Sequence, residues 1–273
     1  MKLLLTNDDG IRAPGIIALY DALQGATFAG RRIEAIRVVA PMTVQSATSH
    51  GITFHEPLMT RQVRASPTLT GTAVDGRPAD CTKLALTNLW KEWYGPDARP
   101  DLVVSGMNMG ANCGINVLYS GTVAAAVEAA FLGVPSVAVS LHLGGGKADY
   151  ALAARHAVHA LETLLAAGLP EPHECVNVNI PRCEEGEPGH EATPELAVVP
   201  MNVHGIVDAY ERRLSPAGEP YYWATGHGLD FVTTDPDTDV SELLNRRRIT
   251  VTPLRYDLTE HGKLAKWRER AKG

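Results

Sequence analysis

Leu3-Leu4-Leu5-Thr6-Asn7-Asp8-Asp9-Gly10 is the stretch that decides the fold. Three leucines run directly into a polar cluster. A strand with one wet face alternates apolar and polar residues, whereas a parallel strand buried on both faces is an unbroken apolar run cut off by polar residues. Residues 13–24 follow with Ile16, Leu19, Tyr20 and Leu23 at helical spacing. The alternation then repeats: a strand at 33–40 stopped by Pro41, a helix at 79–90 with Leu84, Leu86 and Leu89 apolar, and a strand at 101–104. An Ala-rich helix at 123–132, a strand at 136–141, a helix at 150–167 and a strand at 175–180, closed by Pro181, complete the series. Strands alternating with helices predict an α/β class: a three-layer, Rossmann-like, mostly parallel sheet with helices on both faces.

The pattern breaks after Pro181. Residues 182–248 are rich in Pro, Gly and charge, with short strand-like pieces at 196–199 and 221–223. The expected division is a catalytic core over 1–181, a protruding C-terminal β-hairpin appendage over 182–248, and a returning strand with a C-terminal helix over 249–273. Tyr221, Tyr222, Trp223 and Phe231 lie in a stretch with no core of its own, so a homodimer or homotetramer is expected to cover them.

With 273 residues and 45% hydrophobic residues, the chain can bury a sizeable core. The net charge of -6 and the lack of any basic run beyond Arg246-Arg247-Arg248 argue against a nucleic-acid polymer as partner. No apolar run reaches the ~20 residues that span a bilayer, and Leu3–Leu5 is too short for a signal-peptide core. No membrane partner and a cytoplasmic location are therefore expected. Cys81, Cys113, Cys175 and Cys183 form no C-x-x-C pair and read as reduced thiols. His156 and His159, three apart in a helical stretch, read as a solvated helix face.

In an open parallel sheet, ligands bind beyond the carboxyl ends of the strands. Here the first strand ends in Thr6-Asn7-Asp8-Asp9-Gly10, the second leads to Gln45-Ser46-Ala47-Thr48, and the strand at 101–104 leads to Ser105-Gly106-Met107-Asn108-Met109-Gly110-Ala111-Asn112. These clusters should converge on one edge. Asp8, Asp9, Ser46 and Asn108 are all hard oxygen donors, a set suited to one Mg²⁺ or Mn²⁺ per subunit and not to zinc or copper. Ser120-Gly121-Thr122 opens a helix, leaving free N–H groups and a glycine for close approach of an anion. Acidic metal ligands facing an anion cradle point to phosphoryl chemistry.

These residues resemble the SurE family, the survival-protein nucleotidases. The likeness is carried by Leu5-Thr6-Asn7-Asp8-Asp9-Gly10-Ile11, by Gln45-Ser46-Ala47-Thr48-Ser49-His50 and by Pro78-Ala79-Asp80-Cys81. Ser105-Gly106-Met107-Asn108-Met109-Gly110-Ala111-Asn112 and Tyr119-Ser120-Gly121-Thr122-Val123 carry it further. It implies a divalent metal held by Asp8, Asp9, Ser46 and Asn108, and hydrolysis of nucleoside 5′-monophosphates, with 3′-monophosphates and short polyphosphate as further substrates. Catalysis is then expected of Asp8, Asp9 and Asn108, phosphate binding of Ser105, Gly106, Asn112, Ser120, Gly121 and Thr122, and substrate contact of Arg77 and Asp80. The chain departs from the family pattern at Arg77, Met42, Met109 and Arg246-Arg247, none of them a proposed metal ligand. The nucleophile is left open between water and Asp8. A non-catalytic nucleotide sensor, or less readily a sugar-nucleotide glycosyltransferase, is the alternative.

Overall fold

A computed structural model describes residues 1–186, 191–204, 209–225 and 234–272; Phe231 lies outside them. Along the chain the elements are β1 (Lys2–Thr6), α1 (Pro14–Leu23), β2 (Thr27–Phe28), β3 (Arg31–Arg32), β4 (Ala35–Pro41), β5 (Thr60–Arg64), β6 (Thr70–Val74), α2 (Pro78–Leu84) and α3 (Trp90–Tyr94). They continue with β7 (Leu102–Met109), α4 (Gly121–Phe131), β8 (Ser136–Leu141), α5 (Tyr150–Leu164), β9 (Cys175–Ile180), β10 (Leu196–Val198), β11 (Tyr210–Leu214), β12 (Pro220–Ala224), α6 (Asp239–Asn245), β13 (Ile249–Leu254) and α7 (Leu264–Arg270).

The main sheet has the order β10-β13-β9-β8-β7-β1-β4-β6-β5. The run β6-β4-β1-β7-β8-β9 is parallel throughout. The antiparallel pairs are β5 with β6 at one edge and β13 with β9 near the other. The α/β expectation therefore holds, and its cause is visible in β1. Leu3 and Leu5 enter the cluster formed with Ile16, Leu19 and Leu23 of α1 and with Leu152, Ala157 and Leu161 of α5. Leu4 points the other way, to Cys81, Trp90 and Ala129. Both faces are covered, so all three leucines are fully buried and the run cannot alternate. Each such burial contributes ~1.5–3 kcal/mol before the entropy of ordering is set against it.

The structure extends or splits several expected elements. The helix expected at 79–90 runs from Pro78 to Tyr94, with Ala85–Leu89 wound as a π-helical turn between α2 and α3. The strand expected to stop at Val104 continues to Met109, with a register shift between Ser105 and Asn108. Gly106 permits this: a Cβ there would lie 2.2 Å from the Val139 carbonyl oxygen, so only glycine lets β7 hug β8. The β5–β6 hairpin was not legible, because the exposed Thr60–Arg64 edge is largely polar.

Of residues 182–248, Leu196–Val198 joins the main sheet beside β13, and Val240 and Leu243 of α6 are buried with Cys113. The separate β11–β12 hairpin has every one of its strand residues exposed. All four cysteines are free and buried. The expectation for the two histidines holds for exposed His159 alone; His156 is buried, because α5 turns it inward with Leu152, Ala153 and Ala160.

Candidate active site

The first strand is the switch point of the sheet: β4 lies on one side of it and β7 on the other. The loops leaving β1 and β7 in this arrangement open a crevice at their carboxyl ends. Thr6 pairs with Ser105, so the residues just beyond, Asp8-Asp9 and Met107–Met109, meet across the gap. Asp9 Oδ2 accepts a hydrogen bond from the Met109 N–H at 2.8 Å. Asn108 donates through Nδ2 to the Gly110 carbonyl at 2.6 Å, which fixes its amide plane.

The second loop is tied in through its backbone: Gln45 N–H donates to the Asp8 carbonyl at 2.8 Å. One cavity of about 410 Å³ is consequently lined by Asp8, Ser46, Asn108, Asn112, Ser120 and His142, among others. Gly121, first residue of α4, touches the same carboxylate. A Cβ there would lie 2.9 Å from the Asp8 Cβ and 3.0 Å from its Oδ2, so glycine is required for the approach. Thr122 donates its hydroxyl to Asp8 Oδ1 in a short hydrogen bond, and Ser120 caps α4 by accepting from the Val123 N–H at 3.1 Å.

Burial pushes the Asp8 carboxyl up to about 6, and the neighbouring charge of Asp9 adds to the rise; the Thr122 hydrogen bond opposes it. Asp9 is also raised by burial, against the Met109 N–H bond. Two adjacent carboxylates, both raised by burial, are a poor arrangement unless a cation sits between them. The donor set agrees. Among the described residues no three His, Cys, Asp or Glu come together. A metal at this edge would therefore be held by two carboxylates with the neutral oxygens of Ser46 and Asn108. That composition fits Mg²⁺ or Mn²⁺.

Other expected site residues are placed differently. Ser105 is fully buried within β7, and its hydroxyl, like Thr6 Oγ1 and Asn7 Oδ1, has no hydrogen-bond partner among the described residues. Gly106 serves the β7–β8 approach and lines no part of the cavity. Asn112 does line it, but its N–H goes to Asn179 Oδ1 at 2.8 Å and its Nδ2 to Ser140 at 2.9 Å. Its carbonyl receives Asn177 at 2.7 Å, so the residue is anchored by the ends of β8 and β9.

Arg77 opens on a second cavity of about 400 Å³, shared with Gln45, Thr53, Phe54 and His55, next along the chain from Ser46. Asp80 is committed elsewhere: its carboxylate accepts Thr53 N–H, Thr53 Oγ1 and Arg77 N–H at 2.7–2.9 Å. Sequence reasoning missed His142 and Tyr119 in the cavity wall. His142 follows β8 directly, at a strand end that carries no carboxylate to mark it. Burial lowers its pKa, and Arg182 and Arg247 lower it further against the pull of Glu184.

The geometry meets its counterpart in known proteins. A family model described as survival protein SurE matches residues 3–198. The chain belongs to the SurE family. Among SurE relatives, the 5′-nucleotidase SurE of Moorella thermoacetica is 42% identical over 262 residues, covering 96% of this chain and 92% of that protein. The 5′-nucleotidase SurE of Syntrophobacter fumaroxidans is 41% identical over 272 residues, covering 98% and 99%. The crystal structure of the SurE protein from Aquifex aeolicus superposes with a TM-score of 0.79 at 31% identity, over 99% of this chain and all of that one. The Rossmann-like SurE architecture thus extends over nearly the whole length.

Proposed function

We propose that this chain is a divalent-metal-dependent 5′-nucleotidase, cleaving nucleoside 5′-monophosphates, and also 3′-monophosphates and short polyphosphate, to the dephosphorylated product and phosphate. The observation that carries this reading is the single cavity into which three separate loops bring Asp8, Ser46, Asn108 and Ser120. The names of the relatives support the activity.

Asp8, Asp9, Ser46 and Asn108 would hold the metal. The ion supplies positive charge that draws in the phosphoryl group and makes water a competent nucleophile near neutral pH. The chain does the rest. Thr122 orients the Asp8 carboxylate, and Met109 N–H orients that of Asp9. The amino end of α4 stabilises charge on the equatorial phosphate oxygens. One of the two carboxylates, Asp8 or Asp9, would accept the proton of the attacking water. Arg77 would meet the nucleoside end, where guanidinium can stack on a base or pair with a second phosphate.

The deciding assay measures phosphate release from AMP after exhaustive chelation and after Mn²⁺ or Mg²⁺ is restored. Turnover should vanish and return; full activity without metal would remove the assignment. Binding of AMP without turnover would leave a nucleotide sensor.

A homodimer or homotetramer is part of the proposal. Its support is the run of exposed Tyr210, Leu214, Tyr222 and Trp223 on the β11–β12 hairpin. Deleting the hairpin should yield monomers in sedimentation, and a monomeric wild type would refute the idea. Four free thiols favour a reducing, cytoplasmic compartment. Among the described residues, no helix is long and apolar enough to cross a membrane.

A further inference from the structure

Glu128 is a buried carboxylate that the chemistry above does not use. It sits in α4, where the other buried residues beyond the first turn are alanines, and it is 4% exposed. A charge in such a place is costly unless paired. Two groups grip it. His50 donates through Nε2 to Oε2 at 2.8 Å, and Lys83 Nζ stands 3.3 Å from Oε1. Burial raises the Glu128 pKa, but the His50 hydrogen bond and the Lys83 charge outweigh it, and the group is held below the usual carboxylate range.

The three residues come from three different elements. His50 ends the loop that delivers Ser46. Lys83 belongs to α2, whose first residue, Pro78, touches Gly121: a Cβ on that glycine would lie 3.0 Å from the Pro78 ring. Glu128 lies two turns along α4 from the Ser120-Gly121-Thr122 opening. The loop has little else to hold it. Thr43, Val44, Ser46, Ala47, Ser49 and His50 are exposed. Ala47 and Ser49 adopt left-handed φ of 55° and 52°, which residues with a Cβ disfavour. One side is fixed by Gln45 N–H on the Asp8 carbonyl. The other is fixed by Ser49 on the carbonyls of Leu118 and Tyr119, and by His50 on Glu128.

We propose that Glu128 is a positioning residue: through His50 it locks the Ser46 loop onto the helix that carries the phosphate cradle, so that Ser46 is held in register with Asp8 and Asn108. This rests on the reading of Ser46 and Asp8 as metal ligands. Neither Glu128 nor His50 lines the cavity that holds Asp8, Ser46 and Asn108; both act on it through the loop.

The test measures Mn²⁺ dissociation constants by titration calorimetry on the metal-stripped full chain, with kcat and KM for AMP alongside. The variants are Asp8→Asn, Ser46→Ala, His50→Ala, His50→Gln, Glu128→Gln and the Ser46→Ala/His50→Ala double. His50→Ala should weaken Mn²⁺ about tenfold, the scale found for groups that orient metal ligands, and should lower kcat more than it changes KM. His50→Gln, whose amide can still donate to Glu128, should recover most of the loss. Glu128→Gln should shift Mn²⁺ affinity in the same direction as His50→Ala. In the double variant, the His50 change should cost no further affinity, because nothing remains for the loop to position. Wild-type Mn²⁺ affinity in His50→Ala, or full additivity in the double, overturns the proposal. Asp8→Asn separates the two levels. If it binds Mn²⁺ like wild type, the metal site itself falls; if it loses Mn²⁺ while His50→Ala keeps it, only the positioning role falls.

Discussion

Asp8 and Asp239 are both buried carboxylates raised by burial, yet they differ in what stands beside them. Asp239, at the start of α6, receives N–H donors from Gly114, Asn202 and Val240, each at 2.8 Å. Asp80 is served likewise by Thr53 and Arg77. Asp8 has the Thr122 hydroxyl, with the Thr122 and Asp8 N–H groups nearby, but a second carboxylate stands beside it. Burial raises both Asp8 and Asp239, and only Asp8 has a neighbouring carboxylate adding to the rise. A carboxylate that only holds the fold together is given donors for its lone pairs, because burying it bare would cost several kcal/mol. Asp8, proposed as a metal ligand, has a second carboxylate beside it instead of a fuller set of donors. Sequence pattern alone does not separate the two, since each is an aspartate near the start of a helix or loop.

The sharpest way to break that contrast is Asp8→Asn. Turnover should fall by about a thousandfold or more, the ~4 kcal/mol expected when a main electrostatic group of the site is neutralised. The metal-free variant should nevertheless unfold at the same or higher temperature than wild type, because a poorly solvated charge has been removed. Calorimetry of the stripped proteins checks the second half, and a clear destabilisation would put Asp8 in the class of Asp239.

The same contrast has a pH signature. The folded-state pKa of Asp8, about 6, lies above its ordinary 3.8. Its protonated form therefore favours the folded state. That contribution is complete below about 4 and is lost as pH rises through about 6. Metal-free protein should lose stability across this window, by a few kcal/mol at most, while the Mn²⁺-induced rise in Tm should grow across it as the ion displaces the proton. Melting curves at pH 4.5, 6 and 7.5, with and without Mn²⁺, read both trends; a pH-independent Mn²⁺ shift would contradict them.

Asp239→Asn supplies the opposite arm. Three donors lose their charged acceptor, and the variant should be destabilised by about 2 kcal/mol, measured by urea unfolding. Mn²⁺ affinity should stay unchanged. The smallest effect is expected at Arg77→Thr, beside the fully served Asp80. Ratios of kcat/KM among AMP, GMP, a 3′-monophosphate and tripolyphosphate should shift by roughly 1 kcal/mol. Unchanged ratios would return Arg77 to a solvated turn.

The parallel sheet was legible because burial on both faces writes itself into sequence as short apolar runs such as Leu3–Leu5 and Val103-Val104, even though buried Ser136, Ser140, Asn177 and Asn179 interrupt β8 and β9. The carboxyl-end clusters were legible for a related reason. Polar residues that end a buried strand often face the crevice: Asp8, Ser46 and Asn108 line one cavity, whereas Thr6, Asn7 and Ser105 stay buried. What the sequence hid was decided by contacts between distant segments. The continuation of β7 to Met109 depends on the Val139 carbonyl meeting Gly106. The burial of His156 depends on which side of α5 faces the core. The commitment of Asp80 to Thr53, of Asp239 to Gly114 and Asn202, and of Glu128 to His50 and Lys83 joins residues up to 125 positions apart. Residue type and local spacing thus determined the class of fold and the kind of chemistry. Which donors a given carboxylate receives was decided only by the tertiary structure, because hydrogen-bond satisfaction is a property of neighbours in space.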